Sequence, residues 1–273
     1  MKEHFRICAV QVDLAWENPS ENRDRLHAFM ESVPSSDLYV LPEMFTTGFT
    51  MNPAQYAESF PGETLDWMRN EARLRGAALV GSVASSDPQG FTNKLIWVNP
   101  DGSYYTYNKA HLFSLAGEEK QYLPGDEKMI ITYLGWKFLP LICYDLRFPE
   151  WSRNTMNTEG CDYDVLLYVA NWPDRRVNAW DALLKARAIE NQAYVCGVNR
   201  VGYDGNDVWH SGHSALYGPD GEQLAAAAPD TEEAFTHILN ADALASQRRR
   251  YSFLSDQRYS ISQLGLSSTG ESK

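Results

Sequence analysis

Three residues in this chain stand directly behind apolar runs and carry groups that do acyl chemistry. In "LYVLPEMF" a carboxylate, Glu43, follows a short greasy segment. In "YYTYNKAHLF" an ammonium, Lys109, ends a run of tyrosines, and in "FLPLICYDLRFPEW" a thiol, Cys143, stands where the apolar run gives way to charge. A thiol with a free pKa of about 8.5 is mostly protonated at neutral pH and attacks well only as the thiolate. It therefore needs a neighbouring base or a positive charge. A carboxylate desolvated by burial can take that proton and hand it to a leaving amine. An ammonium, with a backbone N–H from the tight turn after Cys143, can hold the oxyanion of a tetrahedral intermediate. Singly, each has an ordinary explanation, since cysteine is often a small buried hydrophobe and loop Glu or hairpin Lys is usually solvated. Their shared position at strand ends is what points to acyl transfer, a site complete without a histidine.

The elements that must position them alternate strands with helices. "FRICAVQV" (5–12), "LYVL" (38–41), "ALVGSVA" (78–84) and "NKLIWVN" (93–99) read as strands. The turn at Asp101-Gly102 makes a hairpin with "YYTYNK". "KFLPLICY", "DVLLYVAN" and "QAYVCGVNR" are further strands, while 20–32, 63–75 and 177–191 read as helices, the first with Ser20 as a candidate N-cap. Continuous apolar strands such as "DVLLYVA" belong to sheets covered on both faces. Interleaved helices and hairpins predict an α/β domain with mixed sheets. Ligand sites of open α/β sheets lie beyond the carboxyl ends of the strands, where Glu43, Lys109 and Cys143 stand, with Asn171 and Trp172 after "LLYVA".

Composition narrows the function. The 273 residues carry 24 Lys+Arg against 36 Asp+Glu, net −12, which argues against a nucleic-acid partner. The basic run "QRRRY" (247–251) reads as a solvated helix end. "MKEHFRICAV" does not read as a signal peptide, and no apolar stretch reaches the roughly 18 residues of a membrane span. The cysteines, Cys8, Cys143, Cys161 and Cys196, are too scattered for a disulfide framework, so the expected compartment is the cytoplasm. No G-x-G-x-x-G or Walker-type loop appears, and no cofactor or metal is expected. "WHSGH" (209–213) has His-x-x-His spacing without a ligand cluster beside it and reads as a turn.

"LPEMFTTGF", "NKAHLF" and "CYDLRFPEW", in this order and spacing, resemble the three signature segments of the nitrilase superfamily of carbon–nitrogen hydrolases. The likeness runs from "ICAVQVDLAW" through "ARAIENQAYVCGVNRVG" and "GHSALYGPDGE", to about residue 240. It implies Glu43 as base and acid, Lys109 on the oxyanion and Cys143 as nucleophile. The Tyr144 N–H would lie in the oxyanion hole. A second glutamate is implied in "GEEKQYLPG", where the spacing to Pro124 favours Glu118 over Glu119; it would orient Lys109 and the water. The implied fold is a four-layer α-β-β-α sandwich with mixed sheets, a single domain over 1–273 that forms a homodimer. The tail from about 241 to 273 is a candidate for the dimer interface.

"PEMFTTGFTM" with "YVANWPDRR" is most similar to the omega-amidase branch, which hydrolyses the side-chain amide of 2-oxoglutaramate or 2-oxosuccinamate. The implied partner is then a small-molecule amide. Arg175 and Arg176 are candidates for its free carboxylate, because guanidinium binds carboxylate bidentately. Phe45, Tyr122 and Trp172 are candidate pocket walls. The alternatives are another activity of the family (nitrilase, N-carbamoyl amidohydrolase, aliphatic amidase), a Cys-His hydrolase using His111, and an idle member of the fold acting as an interaction module.

Overall fold

A computed structural model describes residues 1–158 and 160–257. Strand β1 (His4–Gln11) sends Phe5, Ile7 and Ala9 to one buried face and Cys8 and Val10 to the other, the alternation that a strand's pleat imposes. Strands β2 (Leu38–Val40) and β3 (Ala78–Asp87) follow in parallel. Parallel neighbours need a crossover, which α1 (Pro19–Glu31) and α2 (Glu63–Arg75) supply. Asn18, not Ser20, caps α1, its Oδ1 accepting from the Glu21 N–H at 3.3 Å; Pro19 then takes the first helical position. Strands β4 (Gly90–Val98) and β5 (Tyr104–Asn108) continue the sheet antiparallel, the Asp101-Gly102 turn between them.

The second sheet runs in the order β6 (Ile131–Tyr133), β7 (Trp136–Ile142), β8 (Val165–Ala170), β9 (Tyr194–Asn199), β10 (Ala215–Tyr217) and β11 (Gln223–Ala226). Again three central strands, β7 to β9, are parallel and the flanking ones antiparallel. Helix α3 (Val177–Asn191) crosses from β8 to β9. Strand β12 (Glu233–Asn240) returns to the first sheet, antiparallel to β1 along its whole length, and leads into α4 (Ala241–Arg250). The same pattern of strand directions thus occurs twice, though the sequence carries no visible repeat.

The sheets face each other through large side chains: Phe138 of β7 lies 5.2 Å from Phe5 and 5.1 Å from Trp97, ring centre to ring centre. Leu26 and Met30 of α1, with Leu65, Met68 and Ala72 of α2, cover the outer face of the first sheet. Trp180, Leu184 and Ala188 of α3 cover the second, so closely that a Cβ on Gly197 would come within 2.5 Å of Leu184 and 2.7 Å of Trp180. The result is a four-layer α-β-β-α sandwich with two mixed sheets.

The arginine run at the end of α4 is only partly solvated. Arg248 docks on the second sheet, reaching Asp164 Oδ1 at 2.7 Å and the carbonyls of Tyr163 and Gln192, while Arg249 and Arg250 face outward. Of the C-terminal tail, residues 258–273 lie outside the described residues. Among the described residues no helix is long and apolar enough to cross a membrane.

Candidate active site

Lys109, Cys143 and Asn171 are each the first residue past a strand (β5, β7 and β8), and all three line one cavity of about 550 Å³. Glu43 stands behind them. After β2 the chain passes Pro42, which cannot donate to the ladder. Met44 then turns with a φ of +43°, and the Phe45 N–H catches the Ser82 carbonyl at 3.0 Å. This kink aims the Glu43 carboxylate at the strand ends.

Lys109 and both glutamates are wholly buried. The lysine Nζ lies 2.8 Å from Glu43 Oε1 and 3.0 and 2.9 Å from the two oxygens of Glu118. Asn93 Nδ2 donates to both carboxylates, at 2.8 and 3.2 Å, the Asn171 N–H donates to Glu43 Oε2 at 2.8 Å, and the Phe113 N–H to Glu118 Oε2 at 2.6 Å. Burial alone would lower the lysine's pKa, but the carboxylates of Glu118 and Glu43 outweigh it and hold Lys109 charged. For Glu118 burial wins: its pKa is raised, partly offset by Lys109 and reinforced by Glu43. Glu119, one residue on, faces solvent.

Cys143 adopts a left-handed φ of +42° and opens a 3-10 turn, Cys143–Arg147. The first N–H groups of such a turn have no partner inside it, Tyr144's among them. Burial, reinforced by the nearby Glu43 carboxylate, pushes the Cys143 thiol pKa well above its ordinary value. His111 is engaged elsewhere: its Nδ1 lies 2.8 Å from Asp145 Oδ1, and its ring stacks on Phe148 at 3.8 Å.

Around the thiol the cavity is walled by Trp172, Phe49, Met51, Phe113 and Trp16. Arg175, Arg176 and Arg147 reach into it, Arg176 over the Phe113 ring and Arg147 over the Trp172 ring, each at 4.9 Å. Among the described residues none of the three arginines pairs with a carboxylate. Two expected wall residues belong elsewhere. Phe45, pinned by its bond to Ser82, packs under α2 against Trp67 in the core of the first sheet. Tyr122 is buried behind the site beside Met44 and Ala84, with its hydroxyl on the Thr50 carbonyl at 2.8 Å. Asn93 and Arg147 escaped the sequence reading. A buried-strand Asn just ahead of "LIWV", and an Arg four residues past the thiol on a tight turn, were the available signals. In "WHSGH", His210 lies on a short strand, Trp209–Ser211, and lines the cavity. Burial and the neighbouring Arg200 push its pKa down to about 4, so it is neutral; His213 pairs with Asp181 at 3.0 Å.

Comparison with known proteins gives a consistent picture. The carbon-nitrogen hydrolase family model matches residues 6–249. Over 247 residues the chain is 43% identical to the omega-amidase YafV of Yersinia enterocolitica, covering 90% of this chain and 94% of that protein. It is 36% identical over 225 residues to the 2-oxoglutaramate amidase of Bacillus subtilis (strain 168), covering 81% and 85%. The crystal structure of XC1258 from Xanthomonas campestris, a CN-hydrolase superfamily protein with an arsenic adduct in its active site, superposes with a TM-score of 0.91. It is 40% identical, covering 94% of this chain and 98% of that one.

Proposed function

This chain belongs to the carbon–nitrogen hydrolase family, and from that premise we propose how it works: as an omega-amidase, with Cys143 as nucleophile, Glu43 as proton carrier and Lys109 on the oxyanion. The observation that carries the reading is the buried ammonium of Lys109 between two carboxylates, at the rim of the same cavity that the Cys143 thiol lines. Glu43 takes the thiol proton as Sγ bonds to the amide carbon. The carbonyl oxygen becomes an oxyanion held by Lys109 and the Tyr144 N–H. As the C–N bond breaks, Glu43 protonates the nitrogen, ammonia leaves and a thioester remains. Water then attacks, giving its proton to Glu43, and the thiolate departs, reclaims that proton and frees the acid. Glu118 orients Lys109 throughout.

The substrate class follows from the walls. Arg147, Arg175 and Arg176 are cations without a carboxylate partner among the described residues, in a chain of net charge −12, and charge-assisted guanidinium–carboxylate bonds are the strong ones. They suit the free carboxylate of a 2-oxo acid such as 2-oxoglutaramate or 2-oxosuccinamate, while Trp172 and Phe49 flank its short apolar span. Two copies of the chain pair through a surface that includes the C-terminal segment from about 241, where Phe253 is 62% exposed; sedimentation at micromolar concentration tests this. Four free cysteines fit a reducing cytoplasm.

The test is ammonia release from 2-oxoglutaramate coupled to intact-protein mass spectrometry. A transient acyl adduct on Cys143, lost in C143A, is the expected result, with nitriles and N-carbamoyl compounds left intact. Full turnover by C143A would overturn the mechanism.

A further inference from the structure

Resting on that reading of Lys109 and Cys143, we infer that Asp145, gripping His111 and Tyr107, is a positioning residue that sets the lysine against the nucleophile. Asp145 is fully buried and is not among the cavity-lining residues, so it does not touch substrate. Its carboxylate nevertheless takes four hydrogen bonds, from strand β7, from strand β5 and from the segment that follows β5. Oδ2 accepts from the Ile142 N–H at 3.0 Å, the residue just before Cys143, and from the Tyr107 hydroxyl at 2.7 Å. Oδ1 accepts from the His111 N–H at 3.0 Å and faces His111 Nδ1 at 2.8 Å.

Tyr107 and His111 flank Lys109 by two residues on either side. Tyr107's hydroxyl also accepts from the Ala110 N–H and from Trp151 Nε1, both at 3.1 Å, which fastens the downstream flank again. The stack of His111 on Phe148 joins that flank to the residue just past the nucleophile's turn. One carboxylate therefore spans the seam between the strand that delivers the ammonium and the strand that delivers the thiol. A carboxylate that only capped its own turn would need the Ile142 bond alone. The other three reach across to Tyr107 on β5 and to His111 on the segment just past it, and bonds to a charged acceptor are roughly twice as strong as neutral ones.

The reaction needs the oxyanion site and the thiol in register, and a misplacement of about 1 Å can cost about 10²-fold in rate. The clasp acts on the chemical step, so its loss falls on kcat. The experiment compares the wild-type enzyme with D145N, H111F, Y107F, D145N/H111F and C143A on 2-oxoglutaramate, each checked for folding by circular dichroism. H111F keeps the ring on Phe148 and Y107F keeps the aromatic packing.

The expected outcome is a kcat lower by about 10²-fold in D145N and about tenfold in H111F and Y107F, with KM within about threefold of wild type, as for misplacement of about 1 Å or less. Because both residues act through one contact, D145N/H111F is no slower than D145N. If D145N does not fold, H111F and Y107F carry the test by the same criterion. Near-wild-type kcat in the folded variants, a loss carried by KM, or multiplied effects in the double variant overturns the clasp. An inactive C143A beside near-normal D145N fails the clasp alone; an active C143A fails the reading of the thiol and the clasp with it.

Discussion

Replacing Lys109 by methionine keeps much of the side chain's volume and removes one charge from a dry cluster. In the intact protein a single ammonium serves two buried carboxylates. Breaking a buried ion pair by removing one partner costs about 3–5 kcal/mol. For a chain of this size, at roughly 2–4 °C per kcal/mol, that is a fall in melting temperature on the order of 10 °C. The pH dependence carries a sign. The lysine's own folded pKa is raised above its ordinary 10.5, so its contribution is fully present below 10.5 and flat between pH 5 and 8.

In K109M two carboxylates remain, both within reach of Asn93 Nδ2, and like charges so placed cannot both stay ionised at little cost. The folded pKa of Glu118, already raised by burial and by Glu43, rises further. A raised carboxylate stabilises the fold below its ordinary 4.5 and loses that contribution as pH climbs through the folded value. K109M should therefore melt closer to the wild type at pH 5.5 than at pH 8. K109M/E118Q, which removes the surplus charge, should regain about half the loss and flatten the slope. Differential scanning calorimetry at the two pH values decides. A K109M that melts with the wild type, or equally below it at both, refutes the electrostatic account.

Because burial and Glu43 keep the Cys143 thiol protonated, iodoacetamide labelling of the resting enzyme should still be accelerating through pH 9; a plateau below pH 8 contradicts this. R176Q or R147Q should raise KM for 2-oxoglutaramate about 10- to 100-fold, the loss of a charged hydrogen bond of roughly 1.5–3 kcal/mol. Steady-state kinetics should show kcat little changed and KM for a neutral aliphatic amide unmoved. G81A places a Cβ 2.7 Å from the Phe45 ring and 3.0 Å from Leu41 Cβ. This overpacking should cost about 1–3 kcal/mol by urea denaturation and lower activity through the Leu41–Glu43 segment.

The convergence of Glu43, Lys109 and Cys143 was legible because each stands within three residues of a strand's carboxyl end, and strand order carries such residues to one rim whatever the loops do. The mixed-sheet α/β class was legible for a related reason, since runs such as "DVLLYVA" tolerate no exposed face, whereas the four layers followed only from the resemblance to the nitrilase superfamily. What the sequence concealed is backbone sign. The positive φ at Met44 folds the "PEMFTTGF" segment back on β3, so Phe45 enters the core and Phe49 reaches the cavity over Lys109 instead. Nothing in the residue type of Met announces that turn. Tyr122 is turned inward by its bond to Thr50, 72 residues away in the chain, a contact that no local pattern announces. At the start of α1, Pro19 suits the first helical position, which makes Asn18 and not Ser20 the cap.

The shared lysine also bears on turnover. Hydrolysis converts a neutral amide into a carboxylate beside Glu43 and Glu118, a third anion arriving where one ammonium is already fully engaged. In the proposed binding mode the arginines hold substrate and product through the same distant carboxylate, so they do not tell the two apart. The reacting end does. An enzyme built this way discharges what it has made, and accumulation of its own product acid should inhibit it only weakly.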